Sequence, residues 1–511
     1  MDLEQKKLKE LVKRRHPEYE NRLQHWDFLA ATYAGGRAWF EDHIFRYFRE
    51  GDQEYRERVE RAYRFNHSRE VVNLINKYIF REGVSRSADA PEYVQNFWAR
   101  ATRQHMTIDE LMSAIDIQTS INGRIWVVVD STMKDGAESV ADEKKADARP
   151  YAYWISPKQM LDFAYDDDGE LIWALIMEVA RDDEDPFNSS GREFNRYRLW
   201  TRDSWLLIRE RPKMGRNVLL EVEEQGEHGL GRVPVFPVDC MGHFESNYFS
   251  PSLIDDIAYL DRAVANYLSN LDAIIQDQTF SQLVIPTQGI LPGDDSHKKV
   301  LEFGTKRVFT YDGEGGTKPE YISPDPKQAS MIIQTVQTII NEIYHSVGVA
   351  GERTKQDNAK GIDNSSGAAK AYDFQRVNSL LVTKADRLQR CERQILELVA
   401  LWMGESLSSK EEDQLVSWPE SFDVRGLMDE FSVASELSDL SAPNSVRRYQ
   451  MEMLIEKIFP NVSGEMRRSF DKDLKAWPPE PVAAATPAEV VEVDDDDDSP
   501  EDQSEPEEAL A

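Results

Sequence analysis

With only two cysteines, Cys240 and Cys391, in 511 residues, the chain cannot build a disulfide framework. It reads as a protein of a reducing compartment. No window of eighteen apolar residues occurs, which excludes a membrane-spanning helix. The start, MDLEQKKLKELVKRRHPEYE, has no apolar run after its basic residues and does not read as a signal peptide. The nine histidines form no H-E-x-x-H pair and no His–Cys cluster, so no zinc site is expected. Neither a G-x-x-x-x-G-K-[ST] loop nor a G-x-S-x-G elbow is present. The nearest phosphate-loop candidate, GEGGTK at Gly313–Lys318, lacks the spacing and reads as a turn. DDDG at Asp166–Gly169 fails the calcium-loop spacing and reads as a hairpin turn between two apolar runs. No catalytic centre, cofactor or metal is therefore expected.

Positive charge is the other shortage. Against 93 acidic residues stand 61 lysines and arginines, a net charge of −32. The excess is uneven: residues 1–81 carry 17 basic and 14 acidic side chains, while 480–511 carry 13 acidic and no basic ones. A protein that grips DNA by its phosphates needs a basic surface. This chain, if it meets DNA, should meet it loosely.

What is present is a large apolar and aromatic complement: 40% hydrophobic residues, with 11 Trp, 19 Tyr and 21 Phe. That is enough for two to four folded domains at this length. Residues 1–24 read as a charged helix interrupted at Pro17, Glu54–Phe65 as a surface helix, and Ser68–Phe80 as a buried helix capped by Ser68. TIDELMSAIDIQTSINGR pairs Thr107 with Glu110 in a capping box. RIWVVVD (Arg124–Asp130) then opens a β-rich module over about 124–240.

Helical periodicity returns at Ser250. Leu253, Ile257, Leu260, Val264, Tyr267, Leu271 and Ile274 recur at spacings of 4 and 3, a narrow seam on a helix over Ser252–Gln278 about 40 Å long. A β-like insert follows over Leu283–Tyr321, then a helix over Lys327–Val347. A third helix, Ser366 to about Met403, is on the order of 55 Å long. Between the last two lies GVAGERTKQDNAKGIDNSSGAAKAYDF, a Gly- and Asn-rich strip. A connection of about fifteen residues is unusual inside a compact domain. NSVRRYQMEMLIEKIF and GEMRRSFDKDLKAW read as a small helical region, and from Pro478 the acidic tail reads as disordered. Each feature also has an ordinary reading: a core seam, a solvated tail, aromatics that fill a core.

Taken together, the order of segments resembles the portal protein of tailed bacteriophages, the head-to-tail connector. The resemblance spans roughly 25–475. It rests on WDFLAATYAGGRAWF and RAYRFNHSREVVNLINKYIF, on the seamed helix, on ISPDPKQASMIIQTVQTIINEIYHSVGV, and on NSSGAAKAYDFQRVNSLL leading into the long helix.

The resemblance implies an α+β portal-type fold, mainly helical, with long stem and wing helices, a β-rich wing module and a small α/β clip. Residues 1–250 would be the wing, 251–282 and 326–348 the stem helices, and 283–325 the clip. A tunnel loop would occupy 349–367, the long wing helix and its connection 368–424, and a crown 425–477, with the acidic tail at 478–511. It further implies a ring of twelve copies at one capsid vertex, through which double-stranded DNA is packaged and ejected. Its partners would be the terminase large subunit, then a head-completion or tail adaptor, with the major capsid and scaffolding proteins. The location would be the virion, and the host cytoplasm during assembly. Arg353, Lys355, Asn358, Lys360 and Asn364 would face DNA from the tunnel loop. Asp255, Asp256 and Asp261 would line the channel, and Lys298, Lys299, Lys306 and Arg307 would meet terminase or adaptor from the clip. The rival readings are another multimeric virion adaptor or scaffold protein, or an acidic metal-dependent nuclease.

Overall fold

The computed structural model describes residues 2–48, 50–81, 83–132, 149–183, 185–212, 218–242, 248–279, 282–286, 308–311, 320–322, 327–348, 367–408, 414–422, 443–458 and 464–477. The fold is α+β. The expected tunnel-loop residues Arg353, Lys355, Asn358, Lys360 and Asn364 lie outside the described residues. So do the clip residues Lys298, Lys299, Lys306 and Arg307, and the acidic tail.

Helices α1 (Asp2–Val12), α2 (Tyr19–Ala34), α3 (Arg37–His43), α4 (Asp52–Arg61) and α5 (His67–Ile79) come first. Strand β1 (Ser85–Arg86) and helices α6 (Glu92–Ala99) and α7 (Ile108–Asn122) follow. The break at Pro17 and the Thr107–Glu110 capping box stand where the sequence places them. The cap of α5 does not. Asn66 accepts from the Arg69 N–H at 3.0 Å, and Ser68 is already inside the helix, fully buried.

Strand β2 (Arg124–Ser131) divides the interior. It lies between β3 (Pro150–Ile155) and β9 (Val235–Asp239), antiparallel to both. Its side chains alternate between two cores, as a strand covered on both faces must. Ile125, Val127 and Val129 join a helical core with Ile75, Met112 and Ile115. Trp126 and Val128 join a second core with Met160, Leu175 and Trp200. That second core is the inner face of an antiparallel meander, β4 (Met160–Tyr165), β5 (Leu171–Arg181), β6 (Glu193–Thr201), β7 (Ser204–Pro212) and β8 (Val218–Glu227). The DDDG segment is the β4–β5 turn: Asp166 accepts from the N–H groups of Asp168 and Glu170 at 3.0 and 2.8 Å, and Gly169 supplies the positive φ.

Helix α8 (Asp255–Thr279), a small sheet of β10 (Gln282–Pro286), β11 (Val308–Tyr311) and β12 (Glu320–Ile322), and helix α9 (Lys327–Ser346) form a hairpin of rods. Strand β10 is central, parallel to β11 and antiparallel to β12. Ile254 and Ile257 at the start of α8 share the helical core with Ile343 and Val347 at the end of α9. Further out, Val264 and Leu268 pack on Val336 and Ile332. The two helices therefore run antiparallel. Helix α10 (Gly367–Trp402) is 36 residues, about 54 Å, long. Val377, Leu381, Leu388, Cys391, Ile395 and Leu398 place one of its faces in the helical core. Strand β13 (Val416–Ser417) pairs with β1.

Contacts divide the chain at Val424 into two units. In the second, α11 (Asn444–Ile458) and α12 (Gly464–Ala476) bury Leu454 and Leu474, and Arg448 donates to the Trp477 carbonyl at 3.0 Å.

Candidate functional site

The start of α8 is set by a close backbone approach. Gly123, at φ +78°, lies so near Ser250 that a Cβ would meet the Ser250 carbonyl oxygen at 1.9 Å. Only glycine fits both demands. Ser252 then caps α8: its hydroxyl accepts from Ile254 N–H at 3.0 Å, and its own N–H donates to Asp255 at 3.0 Å. The other Asp255 oxygen meets His25 Nε2 at 2.8 Å.

One flank of α8 is laced to the N-terminal helices along most of its length. Arg262 sits among the rings of Phe28, Phe45 and Tyr259 at 4.7, 5.2 and 5.0 Å. Asn266 accepts from Phe45 N–H at 2.8 Å and donates to the His43 carbonyl at 3.0 Å. Arg58 donates to Ser269 at 2.9 Å, and Arg61 meets Asp272 at 3.2 Å. Positions 255, 259, 262, 266, 269 and 272 recur at 4, 3, 4, 3 and 3, a helical stripe of polar and aromatic anchors. The apolar seam is thus only part of what α8 buries. Asp261 and Ala265 lie against the N-terminal helices as well.

One of the three expected channel-lining residues is therefore corrected. Asp261 has no exposed surface and accepts from Ser68 and Arg64, so it cannot face a lumen. Asp255 is half-buried, with both oxygens engaged within the chain. Asp256 alone is exposed.

Helix α9 has a different surface. Tyr344 anchors its end, donating to Glu70 at 2.6 Å, with His67 Nδ1 at 3.0 Å from the same hydroxyl. Its solvent side presents Gln328, Met331, Ile333, Gln334, Gln337, Thr338 and Asn341. Within its 20 residues only Lys327 and Glu342 carry a formal charge with histidine neutral. In a chain at −32 this is a neutral amide-and-methyl strip.

The long helix carries charges that periodicity assigns to no site. Lys384 is buried, with Nζ 2.8 Å from Asp116, 2.9 Å from the Ser120 hydroxyl and 3.4 Å from Cys240 Sγ. Burial opposes the ammonium, but the Asp116 charge prevails and lifts Lys384 above its ordinary value. Burial pushes the Cys240 thiol up too, against the pull of Lys384, so it is no reactive thiolate. Glu392, with no exposed surface, holds Arg86 at 2.7 Å and Trp418 Nε1 at 3.1 Å. Both clusters bolt α10 to distant elements.

A cavity of about 610 Å³ lies where β9 and the β4–β5 turn face α10, lined by Arg124, Asp239, Arg387, Arg390 and Gln394 among others. Arg124 and Asp239 pair with each other at 2.5 Å. Among the described residues no group of three or more His, Cys, Asp or Glu side chains is placed to hold a metal ion. Among them, too, no helix is long and apolar enough to cross a membrane.

No family model and no curated protein matches the chain. Among solved structures, it is similar to a chain of a structure described as the virion of a native gene transfer agent (GTA) particle. The identity is 12%, over 87% of this chain and 93% of that one, with a TM-score of 0.42. It is also similar to a chain from the neck of an empty GTA particle computed with C6 symmetry. There the identity is 13%, over 79% and 88% of the two chains, with a TM-score of 0.38.

Proposed function

We propose that this chain is a phage portal protein, a ring-forming channel at one capsid vertex that passes the genome in and out. The observation that carries the reading is the antiparallel pair α8 and α9. The two rods share a core with the N-terminal helices at one end and are bridged by a small sheet at the other. The portal resemblance of the sequence calls for such a stem, with a clip at its far end and the tunnel strip directly after the second rod. The long α10, packed through the helical core, then takes the place of the wing helix.

The surfaces suit passage rather than grip. Each phosphate neutralised by Lys or Arg adds salt-dependent affinity, which would act as a brake on moving DNA. The neutral face of α9 offers almost no such contact, and the exposed Asp256 carboxylate repels the duplex. In the strip that follows, Arg353, Lys355 and Lys360 are balanced by Glu352, Asp357 and Asp363. Asn358 and Asn364 are neutral there. Lys298, Lys299, Lys306 and Arg307 would offer the clip's contacts to terminase and then to the adaptor. The chain itself does no chemistry in this reading, and a separate ATPase drives the DNA. Mass determination of the purified full chain tests it. A closed ring gives a single large multiple of 58.8 kDa, whereas a protein that stays monomeric at every concentration removes the reading.

A further inference from the structure

The meander carries a knob at one end and a socket at the other. At the knob end, the β5–β6 loop presents Phe187 with 93% of its surface exposed. The loop is ordered around it. Asp185 accepts from the Phe187 N–H at 2.9 Å, the Asp185 N–H donates to the Ser189 hydroxyl at 2.9 Å, and Asp182 accepts from the Ser190 N–H and hydroxyl at 3.0 and 2.7 Å. Gly191 N–H closes the loop on the Asp182 carbonyl at 2.8 Å. Hydrogen bonds from Ser190 hold the Asp182 carboxyl below its ordinary value, and those from Phe187 and Asn188 do the same for Asp185. The ring is thus displayed on a fixed, negatively charged turn.

At the socket end, a cavity of about 450 Å³ has an apolar floor of Leu11, Ile172, Trp173 and Leu199, with Arg14, Arg202 and Asp203 on its rim, Arg202 being paired with Asp166. Arg14 lies over the Trp173 ring at 4.8 Å, and half of its side chain stays in solvent although it pairs with Asp162. Ile172 is 39% exposed. Knob and socket sit at opposite ends of the same strand, Ile172 near the start of β5 and Arg181 at its end. That separates them by about 30 Å, so a chain cannot fill its own socket.

We propose that Phe187 of one copy seats in the Ile172–Trp173 socket of the next, a head-to-tail contact between identical chains. The fit is of an exposed aromatic ring to an apolar floor: the ring on its acidic turn enters a cavity whose two rim arginines, though paired with Asp162 and Asp166, keep side-chain surface in solvent to meet that turn. Because the two surfaces differ, the contact is heterologous and propagates around a ring. It deepens the ring reading above, on which it rests, by naming the surfaces through which neighbours meet.

The test uses the full chain. An Asn188→Cys/Asp203→Cys double variant, which leaves the Phe187 ring and the socket floor intact, and the two single variants are treated with a short bismaleimide, and denatured samples are sized. The native Cys240 and Cys391 are both buried. A ladder of cross-linked multimers from the double variant, and none from either single variant, is the expected result. In parallel, Phe187→Ala, at an exposed loop position, is expected to weaken assembly at least tenfold with an unchanged melting profile. Oligomers that form without a ladder, or with full affinity in Phe187→Ala, overturn the knob and leave the ring reading standing. A chain that never assembles overturns both.

Discussion

Asp261, in the second turn of α8, accepts hydrogen bonds from both the backbone N–H and the hydroxyl of Ser68, at 3.1 and 2.8 Å, in the first turn of α5. Arg64 approaches the same oxygen at 3.4 Å. A carboxylate at a helix N-terminus is favoured by the helix dipole and by the unpaired N–H groups there. This one has no exposed surface of its own. It ties the rod to the N-terminal helices from within.

Asp261→Ala should therefore destabilise the protein by about 3–5 kcal/mol, since it leaves the buried Arg64 guanidinium without its carboxylate. Asp261→Asn, which keeps an acceptor, should cost less. Urea titration of the variants reads this directly, and a wild-type midpoint for Asp261→Ala would show that the contact bears no strain of the fold.

Lys384→Met should cost a similar amount, about 3–5 kcal/mol, by stranding Asp116. Adding Asp116→Leu should recover much of the loss, because an apolar pair avoids the desolvation both charges suffer. A double variant no better than the single would mean that Ser120, Cys240 and Asn76, whose amide donates to Asp116 at 2.9 Å, account for the bolt rather than the ion pair.

Asp256→Lys and Asp255→Lys separate surface from structure. Asp256 is exposed, so its variant should fold within about 0.5 kcal/mol of wild type yet slow DNA packaging. Asp255→Lys should lower stability as well, since it loses both the Ser252 cap and His25. Packaging at the wild-type rate by Asp256→Lys would remove the channel role of that carboxylate.

The Glu50–Arg58 pair sets an acid limit on the same region. A hydrogen bond from Arg58 holds the Glu50 carboxyl below its ordinary value, against the opposing effect of burial. The pair's contribution is therefore complete above the ordinary carboxylate value and is lost as pH falls through Glu50's lowered one. Melting curves of wild type and Glu50→Gln should differ at neutral pH and converge as the pH falls below the ordinary carboxylate value and on through Glu50's lowered one. A gap that stays constant over that range would sink the assignment.

The rods were legible because their signals are local. The periodicity over Ser252–Gln278 and Lys327–Val347 falls within a few residues of α8 and α9, and Thr107 caps α7 as its spacing with Glu110 requires. The β-rich run RIWVVVD marks a strand, though not that its two faces serve two cores. What stayed hidden depends on contacts distant in sequence. Asp261 meets Ser68 across 193 residues, and Glu392 meets Arg86 across 306. Nothing in a helical repeat tells a buried, paired Asp261 from an exposed Asp256 five residues earlier. The same blindness made Ser68 look like a cap when its hydroxyl belongs to Asp261.

The central claim is that α8 and α9 wall a shared bore. Electron microscopy of the purified full chain tests it most directly. The account predicts closed rings with a central hole, about 700 kDa for twelve copies of a 58.8 kDa chain, with the α8–α9 pairs around the hole. Solitary particles of 58.8 kDa, or rings with these helices on their outer rim, would contradict it.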